Sequence, residues 1–248
     1  MKVLVYCDYG CADVSSLFEE LASCFMPRGI EVAFTDAAEI KAGILDETVK
    51  AFFLGGGAGN PYMQKLSGVG NEKIRGYVKN GGIYFGICAG AYYACRKIAF
   101  EKDIPELCIE NQCGLNLVEG TAVGTLYKEF DLLPYSLTAF SAKVVHIRFK
   151  DGETYPSLYH GGPWFYQTDA NVLAVYEEAK EKPAVVEKSF GAGKVILSAV
   201  HFEDGEKTLC RGLHERRCDI VAAKRNLADM QEQETRRREL SARLLALI

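Results

Sequence analysis

In the stretch IYFGICAGAYYAC (83–95) one cysteine, Cys88, sits between Gly86 and Gly90, with the small residues Ala89 and Ala91 beside it. A β-rich apolar run that stops at such a corner predicts a strand turning sharply into a helix, a crossing that only small neighbours tolerate. The corner side chain then stands at the C-terminal edge of a sheet, where ligands collect in open α/β folds. The N-terminus of the following helix favours thiolate over thiol there. Cys88 is therefore expected to be exposed and nucleophilic.

A nucleophilic cysteine needs a base, and the base needs an orienting group. Of the four histidines, His201 is the best placed, because it ends the β-rich run in VILSAVHFE and so reaches the same sheet edge. Glu203 lies two residues on, on the same face of an extended segment, where its carboxylate can accept from the imidazole. The segment FFLGGGAGNPYM follows a strand with three consecutive glycines, whose backbone N–H groups can join that of Ala89 in an oxyanion hole. It does not fit a dinucleotide-binding G-x-G-x-x-G, since Asn60 stands at the third glycine. Taken singly, each part has a plainer reading: a buried cysteine, a solvated loop pair, a surface turn. Taken together they predict a Cys–His–Glu triad.

The elements that must position these residues are legible as well. KVLVYC, EVAFTD, AFFLGGG and GIYFGIC read as strands separated by helix-compatible stretches, and their apolar character on both faces predicts a parallel sheet covered on both sides. In DVSSLFEELASCFMPRG, Ser16 with Glu19 reads as a capping box, and Pro27 with Gly29 end the helix. From Gly114 to about Tyr176 helical periodicity gives way to short runs such as AKVVHIRF, which predict a β-rich extension. PAVVEKSFGAGKVILSAV (183–200) reads as a hairpin turning at Gly191 and Gly193. Beyond Arg211, helical spacing of Ile220, Ala223, Leu227 and Met230 predicts one or two terminal helices, docked or partner-facing, with the RRR of 236–238 as a solvated face. The boundaries expected are 1–210 for the α/β domain and 211–248 for a basic helical extension.

Composition narrows the function classes. The 248 residues are 48% hydrophobic with net charge −4, and the tail from Arg211 carries nine Lys and Arg against six Asp and Glu, so an acidic body bears a basic tail. That balance argues against nucleic acid as a partner. No stretch reaches the roughly 18 apolar residues of a membrane span, and the start lacks the pattern of a secretory signal. Nine cysteines without a C-x-x-C pair fit reduced thiols in a cytoplasmic protein better than disulfides or zinc.

The segments VLVYCDYG, FFLGGGAGNPYM, GGIYFGICAGAYYAC, YHGGPWF and VILSAVHFE, in that order over about residues 1–205, resemble the class I glutamine amidotransferase-like superfamily. The likeness is greater to the N-terminal domain of eukaryotic-type biotin-protein ligases. The resemblance implies a flavodoxin-like three-layer α/β sandwich with a mostly parallel central sheet. It also implies Cys88 as nucleophile, His201 as base, Glu203 as orienter, and Gly56, Gly57 and Ala89 as the oxyanion region. Two departures stand out. Glutamine-hydrolysing members carry a Gln four residues after the nucleophile, where this chain has Tyr92. The peptidase and chaperone branch carries a His directly after the cysteine, where this chain has Ala89. A ligase catalytic domain with its basic, glycine-rich adenylate loop is not legible.

His160 and Trp164, in YHGGPWF, are expected to wall a small-molecule pocket over Cys88 together with Tyr62, Tyr92 and Tyr93; the alternative is a packed loop around a core tryptophan. His146, inside AKVVHIRF, reads as a strand residue with a satisfied ring. The expected function is an amide hydrolase or acyl-transfer enzyme acting on a small-molecule amide or acyl substrate, with no metal or redox cofactor implied. The rival is a non-catalytic binding or regulatory module acting with a biotin-dependent protein partner. A third reading makes the tail helix a recruiting surface, in a complex or a homo-oligomer.

Overall fold

The computed structural model describes residues 1–112, 114–214 and 220–248. Its elements run in the order β1 (Lys2–Tyr6), α1 (Val14–Phe25), β2 (Glu31–Thr35), α2 (Ala37–Ala42), β3 (Val49–Leu54), α3 (Gly59–Leu66), α4 (Val69–Lys79), β4 (Ile83–Ile87) and α5 (Ala89–Ala94). The chain continues through β5 (Cys95–Phe100), β6 (Ile109–Gln112), β7 (Val118–Gly124), β8 (Ala142–Phe149), β9 (Thr154–His160) and β10 (Trp164–Tyr166). It closes with β11 (Asn171–Tyr176), β12 (Pro183–Phe190), β13 (Gly193–Ser198), α6 (Glu206–His214) and α7 (Ile220–Leu245).

The main sheet has nine strands in the order β2-β1-β3-β4-β13-β12-β11-β8-β9. From β2 to β13 the neighbours pair parallel, and from β13 to β9 they pair antiparallel. The expected parallel sheet with its β-rich extension is thus one continuous surface. α1 and α7 pack together on it, and α2, α3, α4 and α5 form a second connected layer, giving an α/β sandwich. A smaller sheet, β10-β7-β5-β6, follows directly from α5 and stands beside the elbow.

The strand residues explain this arrangement. β1, β3 and β4 carry apolar side chains on both faces, and Val3, Val5, Phe52, Phe53, Tyr84 and Phe85 are fully buried. Phe85 is the hub, stacking on Phe53 with ring centroids 4.9 Å apart and meeting Phe202 at 5.5 Å, so three segments lock together just beneath the sheet edge.

Two local expectations are corrected. α1 is capped by Asp13, whose carboxylate accepts from the Ser15 N–H at 3.0 Å; Ser16 is buried and bonds Thr208 of α6 at 2.7 Å, so the cap lies three residues earlier than the Ser16–Glu19 pair suggested. The RRR run is not a uniformly solvated face. Arg237 is only 3% exposed, held by Glu234 at 2.9 Å and Glu20 at 3.4 Å, while Arg236 and Arg238 make surface ion pairs. α7 lies on β8 and β9 and reaches α1, so it is docked along its length.

The turn from β4 into α5 depends on Gly90. A Cβ there would stand 1.9 Å from the Leu54 carbonyl oxygen, which belongs to the paired strand β3 and cannot retreat without breaking the sheet. Gly90→Ala is expected to destabilise the fold by about 1–3 kcal/mol or more, read as a lower denaturation midpoint in urea. An unchanged midpoint would mean the elbow has slack.

Candidate active site

β4 and β13 pair parallel, with Ile87 opposite Ser198, and the Cys88 N–H donates to the Ser198 carbonyl at 2.9 Å. Sheet register therefore delivers Cys88 and the segment leading to His201 to one edge. Cys88 has φ 49° and ψ −105°, a strained backbone for a residue with a Cβ, as the elbow requires. Its side chain is 8% exposed, which corrects the expectation of an exposed thiol: the sulfur is reached only through a cavity of about 580 Å³.

His201 is fixed from several sides. Its N–H donates to the Leu158 carbonyl at 2.8 Å, and Phe202, fully buried on Phe85, anchors the next residue in the core. The expected extended segment is corrected here: the chain turns after His201, the Asp204 N–H donating to the His201 carbonyl at 3.3 Å, and this turn brings Glu203 back to the imidazole while Phe202 is buried. The His201 Nδ1 lies 2.9 Å from Glu203 Oε1, and the Cys88 sulfur stands near enough to the imidazole to act on its charge. Gly56 stands behind the ring, where a Cβ would come within 2.6 Å of Cε1. Burial pushes the imidazole pKa down, but the Glu203 carboxylate and the Cys88 sulfur outweigh it and hold His201 well above the usual histidine value. The ring is therefore held protonated between an acid and a sulfur.

The glycine segment is pinned by its carbonyls. Gly55 O accepts from the Gly90 N–H at 3.1 Å, and Gly56 O accepts from Ala12 N–H at 3.0 Å and the Tyr62 hydroxyl at 2.7 Å. A trans peptide sends its N–H opposite to its carbonyl, so the Gly57 N–H points away from Tyr62 and Ala12. Gly57 and Ala89 both line the cavity.

The remaining expected residues divide. Tyr92 and His160 line the cavity. Tyr92 is buried with its hydroxyl on the Gly161 carbonyl at 3.1 Å, and the His160 carbonyl lies 3.6 Å from the Cys88 sulfur. Tyr62 does not reach the cavity; it is fully buried and braces the glycine segment from behind. Tyr93 is buried too, on Asn71 at 2.6 Å. Trp164 is also absent from the cavity lining, because β10 pairs it with Val123 in the smaller sheet, where it meets Lys182 and Tyr166. The glycines beside Trp164 were the misleading signal: Gly162 serves close packing, since a Cβ there would stand 1.7 Å from the Ala199 carbonyl. His146 keeps the role read for it, bonded to Glu178 at 2.8 Å and Gln233 at 2.9 Å.

Two residues of the site were not foreseen. Asp204 places a carboxylate oxygen 3.6 Å from His201 Nδ1, and Arg237 donates to the Phe202 carbonyl at 2.5 Å, clamping the HFE segment from α7. HFED hints at Asp204, whereas nothing local marks Arg237. His201, Glu203 and Asp204 bring donor atoms within 4.8 Å of one another, a set able to hold a cation, but the Nδ1–Glu203 contact already commits that imidazole nitrogen to a hydrogen bond.

A family model for "Biotin-protein ligase, N terminal" matches residues 1–248. The chain belongs to that family. An uncharacterised protein of Chlamydia muridarum is 30% identical over 213 residues, covering 82% of this chain and 80% of its own. The biotin-protein ligase of Schizosaccharomyces pombe is 24% identical over 212 residues, so this family member matches only 33% of the ligase's length. Among solved structures, a glutamine amidotransferase of Thermotoga maritima superposes with TM-score 0.58 at 14% identity, over 98% of this chain and 96% of that one. The fold is thus that of the class I glutamine amidotransferase-like proteins. Among the described residues, no helix is long and apolar enough to cross a membrane.

Asp204 supplies a pH test of this geometry. Burial, then the Glu203 charge, raises its pKa from 3.8 to about 7. A carboxyl raised in the folded state binds protons more tightly there than when unfolded, so its contribution to stability is present below pH 3.8 and is lost as pH rises through about 7. Asp204→Asn removes that loss. The melting-temperature gain of Asp204→Asn over the native chain is expected to widen from pH 4 to pH 7, and a gap that stays constant would contradict the close approach of the Asp204 and Glu203 carboxylates.

Proposed function

We propose that this family member is a cysteine-dependent amide hydrolase or acyl-transfer enzyme, with Cys88, His201 and Glu203 as its triad. The observation that carries the reading is one imidazole bonded to Glu203 on one nitrogen and facing the Cys88 sulfur, at a strained elbow that opens into a cavity. The Cys88 thiolate attacks the carbonyl carbon of an amide-like substrate, and the carbonyl electrons move onto oxygen. The N–H groups of Ala89 and Gly57, with Gly56 shaping the turn, receive that oxyanion. Collapse breaks the C–N bond, the leaving amine takes the His201 proton, and a thioester remains on Cys88. Water, deprotonated by His201, or an acceptor amine then releases the acyl group and restores the thiol. Glu203 holds the imidazole in place through both protonation states, and Arg237 fixes the backbone between the two. The thiol chemistry fits a cytoplasmic, reducing setting.

A second reading keeps the same cavity for binding alone, as a regulatory module acting with a biotin-dependent protein partner. Tyr92 favours it, since a buried tyrosine with its hydroxyl spent on Gly161 replaces a group that could bond a substrate amide. Family membership alongside a full-length ligase favours it too.

Intact-mass spectrometry after mixing with a small activated ester separates the two. The enzyme reading expects a Cys88 acyl adduct that forms and decays in the native chain, persists in His201→Ala if it forms there, and is absent in Cys88→Ser. Equal, slow labelling of several cysteines would favour the binding module.

A further inference from the structure

The walls of the cavity say what kind of acyl group it can hold. Four cavity-lining rings run in sequence: Tyr92 meets Phe100 edge to face at 5.8 Å, Phe100 meets Tyr135 edge to face at 5.3 Å, and Tyr135 meets His160 at a tilt at 5.6 Å. Ile98 and Ile109, from β5 and β6 of the smaller sheet, complete this wall, and Leu137 stands at the cavity as an apolar side chain 82% exposed. The tyrosine at 92 cannot turn its hydroxyl inward, being fixed on Gly161.

Among the described residues, no lysine or arginine lines the cavity. Two of its ionisable groups are already committed. Asp13 caps α1 through Ser15 and Ser16, at 3.0 and 3.3 Å, and the His201 charge faces Glu203 and the Cys88 sulfur. His160 is buried with Nε2 on the Ser136 carbonyl at 2.9 Å, and burial holds its pKa below the usual histidine value, so it is neutral at pH 7. A carboxylate brought into this cavity would lose water and gain no cation, a cost that an alkyl or aryl group does not meet.

Resting on the triad reading above, we infer that the acyl group of the substrate is neutral and apolar, an alkyl or aryl chain lying along the β5–β6 wall, and that acyl groups with a free carboxylate, glutamyl included, are excluded. Selection is made by the smaller sheet, which the strand-to-helix elbow feeds directly, and by Tyr92.

Two esters of matched length test this, p-nitrophenyl octanoate and mono-p-nitrophenyl suberate, the spacer of the second being too long for its carboxylate to expel the phenolate itself. Cys88 attacks either ester's carbonyl carbon, a C–S bond forms, and p-nitrophenolate leaves as the C–O bond breaks, giving an absorbance burst. The octanoate is expected to acylate Cys88 faster than the suberate by roughly a hundredfold or more, the scale set by an uncompensated carboxylate in an apolar site. Leu137→Lys, at an exposed position, is expected to narrow that ratio by raising the suberate rate. Equal rates, or a faster suberate, would overturn the apolar class while leaving the nucleophile intact. No Cys88-dependent burst with either ester would instead overturn the triad reading, and this inference with it.

Discussion

The parallel pairing of β4 with β13 is the interaction on which the site depends. It carries two segments more than a hundred residues apart in sequence to one edge of the sheet, and the hydrogen bond from Cys88 N–H to Ser198 O sets the last rung before both leave the ladder. Side-chain direction reverses with each residue of a strand, so a slip of one position would put the core face of β13 on the wrong side and carry the His201 turn along the edge away from Cys88. The stack of Phe53, Phe85 and Phe202 makes that slip costly, because each ring fills space the others define.

Around this pairing, the rest of the chain adds constraint. The β3 side presses a glycine segment against the imidazole, with Tyr62 and the loop at Gly10–Ala12 holding its carbonyls. The tail helix contributes Arg237, whose charge is matched by Glu234 and Glu20 and whose guanidinium reaches the Phe202 carbonyl. A charge buried so completely is sustained only where it is paired and hydrogen-bonded on all sides. Helix α7 is thereby tied to the geometry of the His201–Glu203 segment, a link between the C-terminal helix and the sheet edge that bears Cys88.

Much of this was legible in the sequence, for local reasons. Gly86, Gly90 and the alanines mark the elbow because close backbone approach admits only small residues, and the nearness of Glu203 to His201 in HFE marked the pair, although a turn rather than an extended strand joins them. What was not legible depends on distant packing. Trp164 and Tyr62 looked like pocket walls because aromatic residues beside glycines fit either a cavity or a core, and only the pairing of β10 with β7 and the burial of Tyr62 decide for the core. The true wall, Phe100, Tyr135 and Ile109, comes from the smaller sheet and the loop beyond it, where no periodicity shows which side faces Cys88. Arg237 read as solvated because a run of arginines on a helix is usually so. Beyond its helix neighbour Glu234, its partners are Glu20 on α1 and the Phe202 carbonyl, and its burial follows from the docking of α7.

The central claim is that His201 and Cys88 act as one coupled pair. Its most direct test is the rate of Cys88 alkylation by iodoacetamide across pH 5–10, located by mass spectrometry, in the native chain and in His201→Ala. The coupled pair predicts that the native chain reacts faster than His201→Ala at acid and neutral pH, with the two rates converging above the ordinary thiol range of about 8.5. Identical profiles for the two proteins would contradict it.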